Sequence, residues 1–197
     1  GLIYEEEQEN KQAIEKYKEA LRIGGEDPYI YIKIREIYLK EKEYLKARES
    51  FQKSLKLNPE ISDAYFGLGL SYLFEKKYKS AALYFENGLK IDPDKNAYRL
   101  ILCDIYSNLN DYKSAEKHYK VFVDLYPSNY LFHYNLAKIY EIQEKYDEAE
   151  KEYLESIKNF PSFWQAYLSL GILYQKKEEI ENAKKYYEKS LEINPTD

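Results

Sequence analysis

The sequence has few of the residues on which catalysis, metal binding and disulfide formation depend. Methionine is absent, cysteine and tryptophan each occur once and histidine occurs twice among the 197 residues. The single cysteine, Cys103, excludes an internal disulfide framework but does not identify the compartment. No apolar run approaches the roughly 20 residues that a membrane-spanning helix needs. We therefore expect no disulfides and no membrane insertion.

The chain also lacks an excess of positive charge. It carries 35 acidic and 30 basic residues, which gives a net charge of −5. A nucleic-acid-binding protein normally presents a basic face to the phosphates, so we expect no nucleic-acid partner. Hydrophobic residues make up 44% of the chain and charged residues 33%, a composition typical of a folded protein.

The chain does contain a repeat with a period of 34 residues. The prolines from Pro59 to Pro195 recur at this step, and only Pro28 is out of register. An alanine recurs at the same step without exception: Ala13, Ala47, Ala81, Ala115, Ala149 and Ala183. Four residues later an aromatic residue follows each time: Tyr17, Phe51, Phe85, Tyr119, Tyr153 and Tyr187. A tyrosine column is also complete: Tyr4, Tyr38, Tyr72, Tyr106, Tyr140 and Tyr174.

The spacing within each repeat predicts a pair of helices. Apolar residues such as Tyr65, Leu68 and Tyr72 recur at helical spacing, and a proline follows each second helix because it cannot extend the hydrogen-bond ladder. Pro28 instead follows Asp27, a helix-capping residue, and so begins a helix. The pattern predicts first helices at 29–41, 63–75, 97–109, 131–143 and 165–177, and second helices at 45–57, 79–91, 113–125, 147–158 and 181–193.

These columns resemble the tetratricopeptide repeat (TPR), whose signature is W-x2-L-G-x2-Y, then A-x3-F, then P, over about 34 residues. The resemblance covers the whole chain as one array, with a partial repeat at 1–27 and full repeats at 28–61, 62–95, 96–129, 130–163 and 164–197. It implies an all-α fold, a right-handed superhelical α-α solenoid of antiparallel helix pairs. In that family the first helices line the concave side.

Several positions depart from the family's pattern. Its tryptophan position is occupied by Tyr31, Tyr65, Arg99, His133 and Tyr167. Arg35 stands where a small residue is expected, which predicts a splayed helix pair or a guanidinium that reaches solvent. Phe122 is too large for a second small position, so we expect poorer packing in the fourth repeat.

The phase of the two ends predicts that the chain is an excerpt of a longer protein. Gly1 falls on the family's glycine position, partway along a first helix, and Asp197 falls on a repeat boundary. Solenoid ends need polar capping repeats for solubility. Without a cap, we expect Tyr187, Leu191 and Ile193 to expose apolar surface that promotes self-association.

The sequence shows no arrangement of residues suited to catalysis. His118 and His133 lie far apart in phase, and no cluster of histidine, cysteine and acidic residues has metal-ligand spacing. The Gly67-Leu68-Gly69 motif lies inside a predicted helix, where it cannot form a phosphate-binding loop. The sequence therefore predicts no enzyme, no catalytic residue, no metal and no cofactor.

The resemblance directs the search for a binding site to the groove formed by the first helices. The carboxylate clamp that some TPR domains use is not expected, because only Asn135 and Lys138 are of suitable type. The first helix of the third repeat is apolar nearly all round, and helices of that kind need cover on more than one side. The predicted groove consists of Phe66, Leu70, Leu73, Phe74, Leu100, Ile101, Asp104, Leu131, Tyr134, Asn135, Lys138 and Ile142.

An apolar groove with polar edges suits a peptide or an amphipathic helix of a protein partner. The sequence therefore favours a non-catalytic interaction scaffold. Three alternatives stay open: contacts within the solenoid or with a missing segment use these residues, the chain is a substrate-recruiting arm of a larger enzyme, or it is a self-associating assembly protein.

Overall fold

The computed structural model describes residues 2–195, and side chains from residue 8 onward. In this part the chain forms eleven α-helices: α1 (Leu2–Gly24), α2 (Pro28–Lys40), α3 (Tyr44–Leu57), α4 (Ser62–Phe74), α5 (Tyr78–Ile91), α6 (Asn96–Asn108), α7 (Tyr112–Leu125), α8 (Tyr130–Ile142), α9 (Tyr146–Asn159), α10 (Trp164–Lys176) and α11 (Ile180–Ile193). The chain divides between Leu109 and Asn110 into two compact units. We call them the N-unit, with α1–α6, and the C-unit, with α7–α11.

The ten helices predicted from the repeat pattern are confirmed, since each bound agrees within one residue. Local chemistry explains why they begin and end where they do. Asp27 is the N-cap of α2, where its Oδ1 accepts a hydrogen bond of 2.8 Å from the backbone N–H of Tyr29. Pro28 occupies the first helical turn, where its missing N–H costs nothing.

Every turn from a first to a second helix uses one residue in the left-handed backbone region. These residues have φ between 56° and 62° and follow the repeat period: Lys42, Lys76, Asn110, Glu144 and Glu178. In four of these turns the next N–H donates to the carbonyl of a tyrosine from the tyrosine column, as Lys77 does to Tyr72 at 2.9 Å. This bond is characteristic of a Schellman cap, which stops a helix by satisfying its last carbonyls.

The N-terminal helix differs from the expected partial repeat. We predicted that the chain begins partway along a first helix, whereas α1 is one continuous helix from Leu2 to Gly24. A remnant of a few residues buries too little surface to offset the cost of a separate helix, and residues 5–12 are good helix formers. Gly1, Asp197 and the side chain of Tyr4, on which other expectations rested, lie outside the described residues.

In both units the alanine and aromatic columns form the core, as the repeat pattern requires. In the N-unit, Ala81 and Phe85 are fully buried between α4 and α5. In the C-unit, Ala149 and Tyr153 are fully buried between α8 and α9. An alanine permits close approach of the two backbones, and the aromatic ring fills the space beside it.

The expectation of poor packing at Phe122 is wrong. Phe122 is buried, and its ring stacks on Phe132 of α8 with centroids 4.6 Å apart. Tyr126 also stacks on the Phe122 ring, with centroids 6.4 Å apart. The neighbouring helix α8 thus supplies an aromatic surface that accommodates the larger side chain within the C-unit.

The expectation for Arg35 is also wrong, because its side chain stays inside the N-unit. Its guanidinium carbon lies 4.4 Å from the centre of the Phe51 ring, and Nε donates to the carbonyl of Ile32 at 3.0 Å. Burial lowers the pKa of Arg35, partly offset by Glu36. Gly67 of α4 makes this possible, since a Cβ there would lie 1.5 Å from Phe51 Cζ and 2.5 Å from Arg35 Nη1. Because Gly67 has no side chain, the Arg35 guanidinium and the Phe51 ring occupy the space that a side chain would otherwise fill.

Candidate functional site

The predicted groove residues of the N-unit do not form one open apolar surface. Phe66 was expected to face a partner, and this prediction is wrong because the residue is only 1% exposed. Its ring fills the space beside Gly88, where a Cβ would lie 2.5 Å from Phe66 Cε1. Tyr98 of α6 stacks on the other face with ring centroids 4.1 Å apart. Phe66 is therefore a core residue.

The remaining apolar groove residues of the N-unit divide between core and surface. Leu70, Leu73 and Ile101 pack against the core cluster around Phe66 and are only partly accessible. Phe74 is 59% exposed, although its ring stacks on Tyr44 with centroids 5.4 Å apart. Leu100 is 40% exposed, and Asp104 is exposed on the same helix. The accessible apolar part of this face therefore centres on two side chains, Phe74 and Leu100.

In the C-unit the predicted residues form a continuous stripe along α8. Leu131, Asn135, Lys138 and Ile142 follow one another at steps of four, three and four residues, which places them on one helix face. All four are at least partly accessible, and the apolar ends, Leu131 and Ile142, are 43% and 51% exposed. We call these four residues the α8 stripe.

Tyr134 belongs to the support of this stripe rather than to its accessible surface. Its ring meets Phe163 edge-on with centroids 5.0 Å apart and lies 5.7 Å from the ring of Tyr153. The ammonium of Lys138 lies 5.7 Å above the same ring, a distance at which a cation is attracted to an aromatic face. Tyr134 thus fixes the base from which Lys138 projects.

Sequence reasoning missed the contribution of α10 to this face. Ile172 is 39% exposed and shares its repeat position with Lys138, 34 residues earlier. The repeat period alone could therefore have placed Ile172 on the same face as Lys138. Lys176 of α10 pairs with Glu141 of α8 at 2.7 Å, and Tyr153 donates a second hydrogen bond of 2.7 Å to Glu141. Burial and this carboxylate raise the pKa of Tyr153. The network holds α8 and α10 together beside the stripe.

The residues most often used in catalysis have structural roles in both units. Cys103 is fully buried, and burial raises the pKa of its thiol to about 12, so the reactive thiolate is scarce. His133 is buried between Glu152, which lies 2.7 Å from Nδ1, and the carbonyl of Pro127, 2.9 Å from Nε2. Arg99 donates likewise to the carbonyl of Pro93 at 2.7 Å. At these two tryptophan positions, polar donors therefore anchor the preceding loop.

Residues 2–195 contain no metal-ligand cluster, and their glycine motif forms no phosphate-binding loop. No three histidine, cysteine, aspartate or glutamate side chains there come together in a group able to hold a metal ion. Gly67, Leu68 and Gly69 lie within α4, as predicted, and not in a phosphate-binding loop. None of the helices in this range has the length and apolar character needed to cross a bilayer.

The outer face of α11 presents part of the apolar surface expected there. Leu191 is exposed, as predicted, and so is Ile180. Tyr187 and Ile193 are only partly accessible. Tyr187 covers Gly171, where a Cβ would lie 2.5 Å from its ring. Self-association through this surface stays a prediction.

Comparison with solved structures identifies proteins of the same fold. YrrB, described as a TPR protein with an unusual peptide-binding site, is 23% identical over 91% of this chain and 93% of its own, with a TM-score of 0.73. A MamA protein is 23% identical over 85% and 92%, with a TM-score of 0.69. MamA from Desulfovibrio magneticus RS-1 is 16% identical over 86% and 96%, with a TM-score of 0.66. These likenesses show the fold class, an all-α solenoid of antiparallel helix pairs.

Comparison of sequences identifies the family. No curated protein matches this sequence. Profiles described as tetratricopeptide repeat match residues 36–96, 104–162 and 164–197, which together make up most of the chain. The protein therefore belongs to the tetratricopeptide repeat family.

Proposed function

We propose that this protein is a non-catalytic interaction scaffold that binds a peptide or an amphipathic helix on its first-helix faces. Family membership supports the scaffold role, because proteins built from these repeats are generally non-catalytic. The observation that carries the finer proposal is the α8 stripe, where apolar side chains stay exposed at both ends of a polar centre. YrrB, with the same fold, is described as having a peptide-binding site, which is consistent with this proposal.

The length and the chemistry of the α8 stripe indicate what kind of partner segment fits it. Leu131 and Ile142 are eleven residues apart, which corresponds to about 16 Å along a helix. A partner helix of three turns, or an extended segment of about five residues, spans this distance. Lys138 and Asn135 lie between the two apolar residues and offer donors for a carboxylate or a backbone carbonyl. The expected partner therefore carries two apolar side chains with an acidic group between them.

The first-helix face of the N-unit supplies a second, smaller apolar contact. Phe74 is a large exposed aromatic residue, a type that contributes strongly to protein interfaces. Asp104 provides a carboxylate near Leu100 on α6. Phe66 takes no part in binding, because its side chain is already used by the core.

The test is a selection of peptides from a random phage-displayed library against the full chain, followed by affinity measurements on variants. Ile142→Glu places a charge at one apolar end of the stripe. We expect it to weaken binding of the selected peptides by about tenfold or more, because an apolar contact is replaced by a buried charge. Helical content should not change, since Ile142 is the exposed last residue of α8.

A matched control is Leu154→Glu on α9, the second helix of the same pair. Leu154 is also exposed, at 39%, but lies outside the first-helix face. Peptides that bind Ile142→Glu as tightly as the wild type, or that lose affinity equally with Leu154→Glu, would show that the stripe is not the binding surface.

A further inference from the structure

One position in the second repeat lacks the larger side chain that the other complete repeats have. At the step of 34 residues this position is occupied by Ser50, Tyr84, His118, Glu152 and Tyr186. Serine is the smallest of the five. The second repeat is therefore missing volume at a place where each later repeat has a larger side chain.

In the third and sixth repeats, a tyrosine at this position covers another tyrosine of the same repeat. Tyr84 stacks on Tyr72 with ring centroids 5.3 Å apart and planes within 5°. Tyr186 stacks on Tyr174 in the same way, at 5.3 Å and 9°. Both partners belong to the tyrosine column. The corresponding tyrosine of the second repeat is Tyr38, and Ser50 has no ring to stack on it. Ser50 is buried, and its Oγ donates to the carbonyl of Lys46 at 3.0 Å.

A cleft of about 480 Å³ lies beside Ser50, between α1, α2 and α3 of the N-unit. This volume is within the range of small-ligand and side-chain pockets. Its floor is apolar and aromatic, formed by Leu21, Tyr31, Ile34 and Tyr38. Tyr31 and Ile34 are buried, so the floor is a fixed part of the core.

Three lysines and one glutamate line the rim of the cleft, and the Glu26 carboxylate accepts a hydrogen bond from Tyr31 on its floor. Lys18, Lys46 and Lys53 surround it, with Glu49 as the carboxylate among its lining residues. The ammonium of Lys46 lies 5.7 Å from the centre of the Tyr38 ring, and that of Lys53 lies 5.5 Å from the Tyr31 ring. The chain carries a net charge of −5, so this group of lysines is a local feature.

We propose that this cleft binds an acidic segment of a partner protein that inserts an aromatic side chain against Tyr38. The inserted ring takes the place that Tyr84 and Tyr186 occupy in their own repeats, and carboxylates on either side of it face the three lysines. The third and sixth repeats thus contain their own copy of the contact that the second repeat leaves for a partner. The site differs from the α8 stripe in location and in the unit that forms it.

Existing ion pairs do not block this binding. The Nζ of Lys18 lies 3.4 Å from Oε1 of Glu15, and the Nζ of Lys46 lies 3.2 Å from Oε1 of Glu43. Both salt bridges are exposed to solvent. Exposed pairs of this kind contribute little, so a ligand carboxylate competes with them on nearly equal terms. Attraction to three lysines together should fall as the salt concentration rises.

The probe is a fluorescein-labelled peptide with one tyrosine between two pairs of glutamates, and the readout is fluorescence anisotropy with the full chain. A second peptide has alanine in place of the tyrosine, and a third has lysines in place of the glutamates. We expect the first peptide to bind with a Kd below about 1 mM, and each of the others at least about tenfold more weakly. Raising the salt from about 50 mM to about 500 mM should weaken the binding.

Ser50→Tyr tests the cleft directly, because it installs the side chain that the third and sixth repeats have at this position. The variant should keep the thermal stability of the wild type or exceed it, and it should lose peptide binding by about tenfold or more. Lys53→Glu should also weaken binding, whereas Lys90→Glu on α5, outside the cleft, should not. No binding by the wild type at about 1 mM peptide, or equal binding by wild type and Ser50→Tyr, would overturn the proposal. If Ser50→Tyr unfolds, equal binding by Lys53→Glu and Lys90→Glu would overturn it instead.

Discussion

Gly67→Ala is predicted to destabilise the protein, although helix propensity alone predicts the opposite. Alanine is favoured over glycine inside a helix by about 1 kcal/mol, and Gly67 lies within α4. The added Cβ, however, would lie 1.5 Å from Phe51 Cζ and 2.0 Å from Phe51 Cε1. Phe51 is fully buried, so its ring can move only by disturbing its neighbours.

The magnitude follows from two opposing effects. Forcing an extra carbon into a packed core costs about 1–3 kcal/mol and more when a ring must leave its place. Displacing the Phe51 ring also disturbs its contact with the Arg35 guanidinium. Because the Phe51 ring must move, we take the upper end of this cost, and after subtracting about 1 kcal/mol of helix propensity we expect a net loss of about 2 kcal/mol. For a chain of this size that lowers Tm by about 4–8 °C.

The assay is thermal unfolding followed by circular dichroism, with Gly24→Ala as the control. No atom lies within 4 Å of a Cβ at Gly24, so this variant should keep the stability of the wild type or gain slightly. Phe51→Ala adds a second test, because it removes the ring that Gly67→Ala displaces. The double variant should lose less stability than the two single losses added together. A Gly67→Ala protein as stable as the wild type would refute the packing account of Gly67.

Three further predictions concern the turns, the acid response and the surface of α11. Lys76→Gly should raise the stability by up to about 1 kcal/mol, because Lys76 has φ 57° and glycine adopts that conformation freely; a lower Tm would contradict this. Burial of Glu116 raises its pKa, but hydrogen bonds from Lys120, Lys145 and Gln143 more than offset this and hold the pKa at about 2, below its ordinary 4.5. This stabilisation is therefore present above about pH 4.5 and lost as the pH falls toward about 2. Glu116→Gln should lower the free energy of unfolding at pH 7 by on the order of 1–3 kcal/mol, seen as a lower Tm, and the difference from the wild type should close in acid; a difference independent of pH would exclude this role. The sedimentation coefficient of the wild type should rise with concentration and that of Leu191→Glu should not; a wild type without concentration dependence would argue against self-association through α11.

The repeat period allowed the helices to be predicted closely, because their boundaries depend on local chemistry. The prolines that follow the second helices and the Asp27 cap of α2 are visible in the sequence, and the bounds of α2 to α11 were predicted within one residue. The left-handed turns were not visible, because four of the five residues that form them are lysine or glutamate. Tertiary packing holds these residues in a conformation that their type does not favour.

The burial of a side chain could not be predicted from its repeat position alone. It depends on whether the facing helix has a small residue, such as glycine, that leaves room for that side chain. Phe66 occupies a groove position of the repeat, yet Gly88 and Tyr98 enclose it. Arg35 occupies a small position, yet Gly67 leaves room for its head group. A repeat column thus identifies the face on which a residue lies, and the facing helix decides whether that face is covered.

The small side chain at Ser50 was visible in the sequence, but its consequence for Tyr38 could be recognised only from the contacts in the structure. The column of Ser50, Tyr84, His118, Glu152 and Tyr186 can be read from the period alone. That Tyr84 and Tyr186 cover tyrosines of another column requires the structure.

The most direct test of the scaffold account is a structure of the full chain bound to a peptide selected from the library. The account predicts that the apolar side chains of the peptide contact Leu131 and Ile142 and that a polar or acidic group lies at Lys138. A peptide bound to the second helices, with the first-helix face of α8 left uncovered, would contradict it.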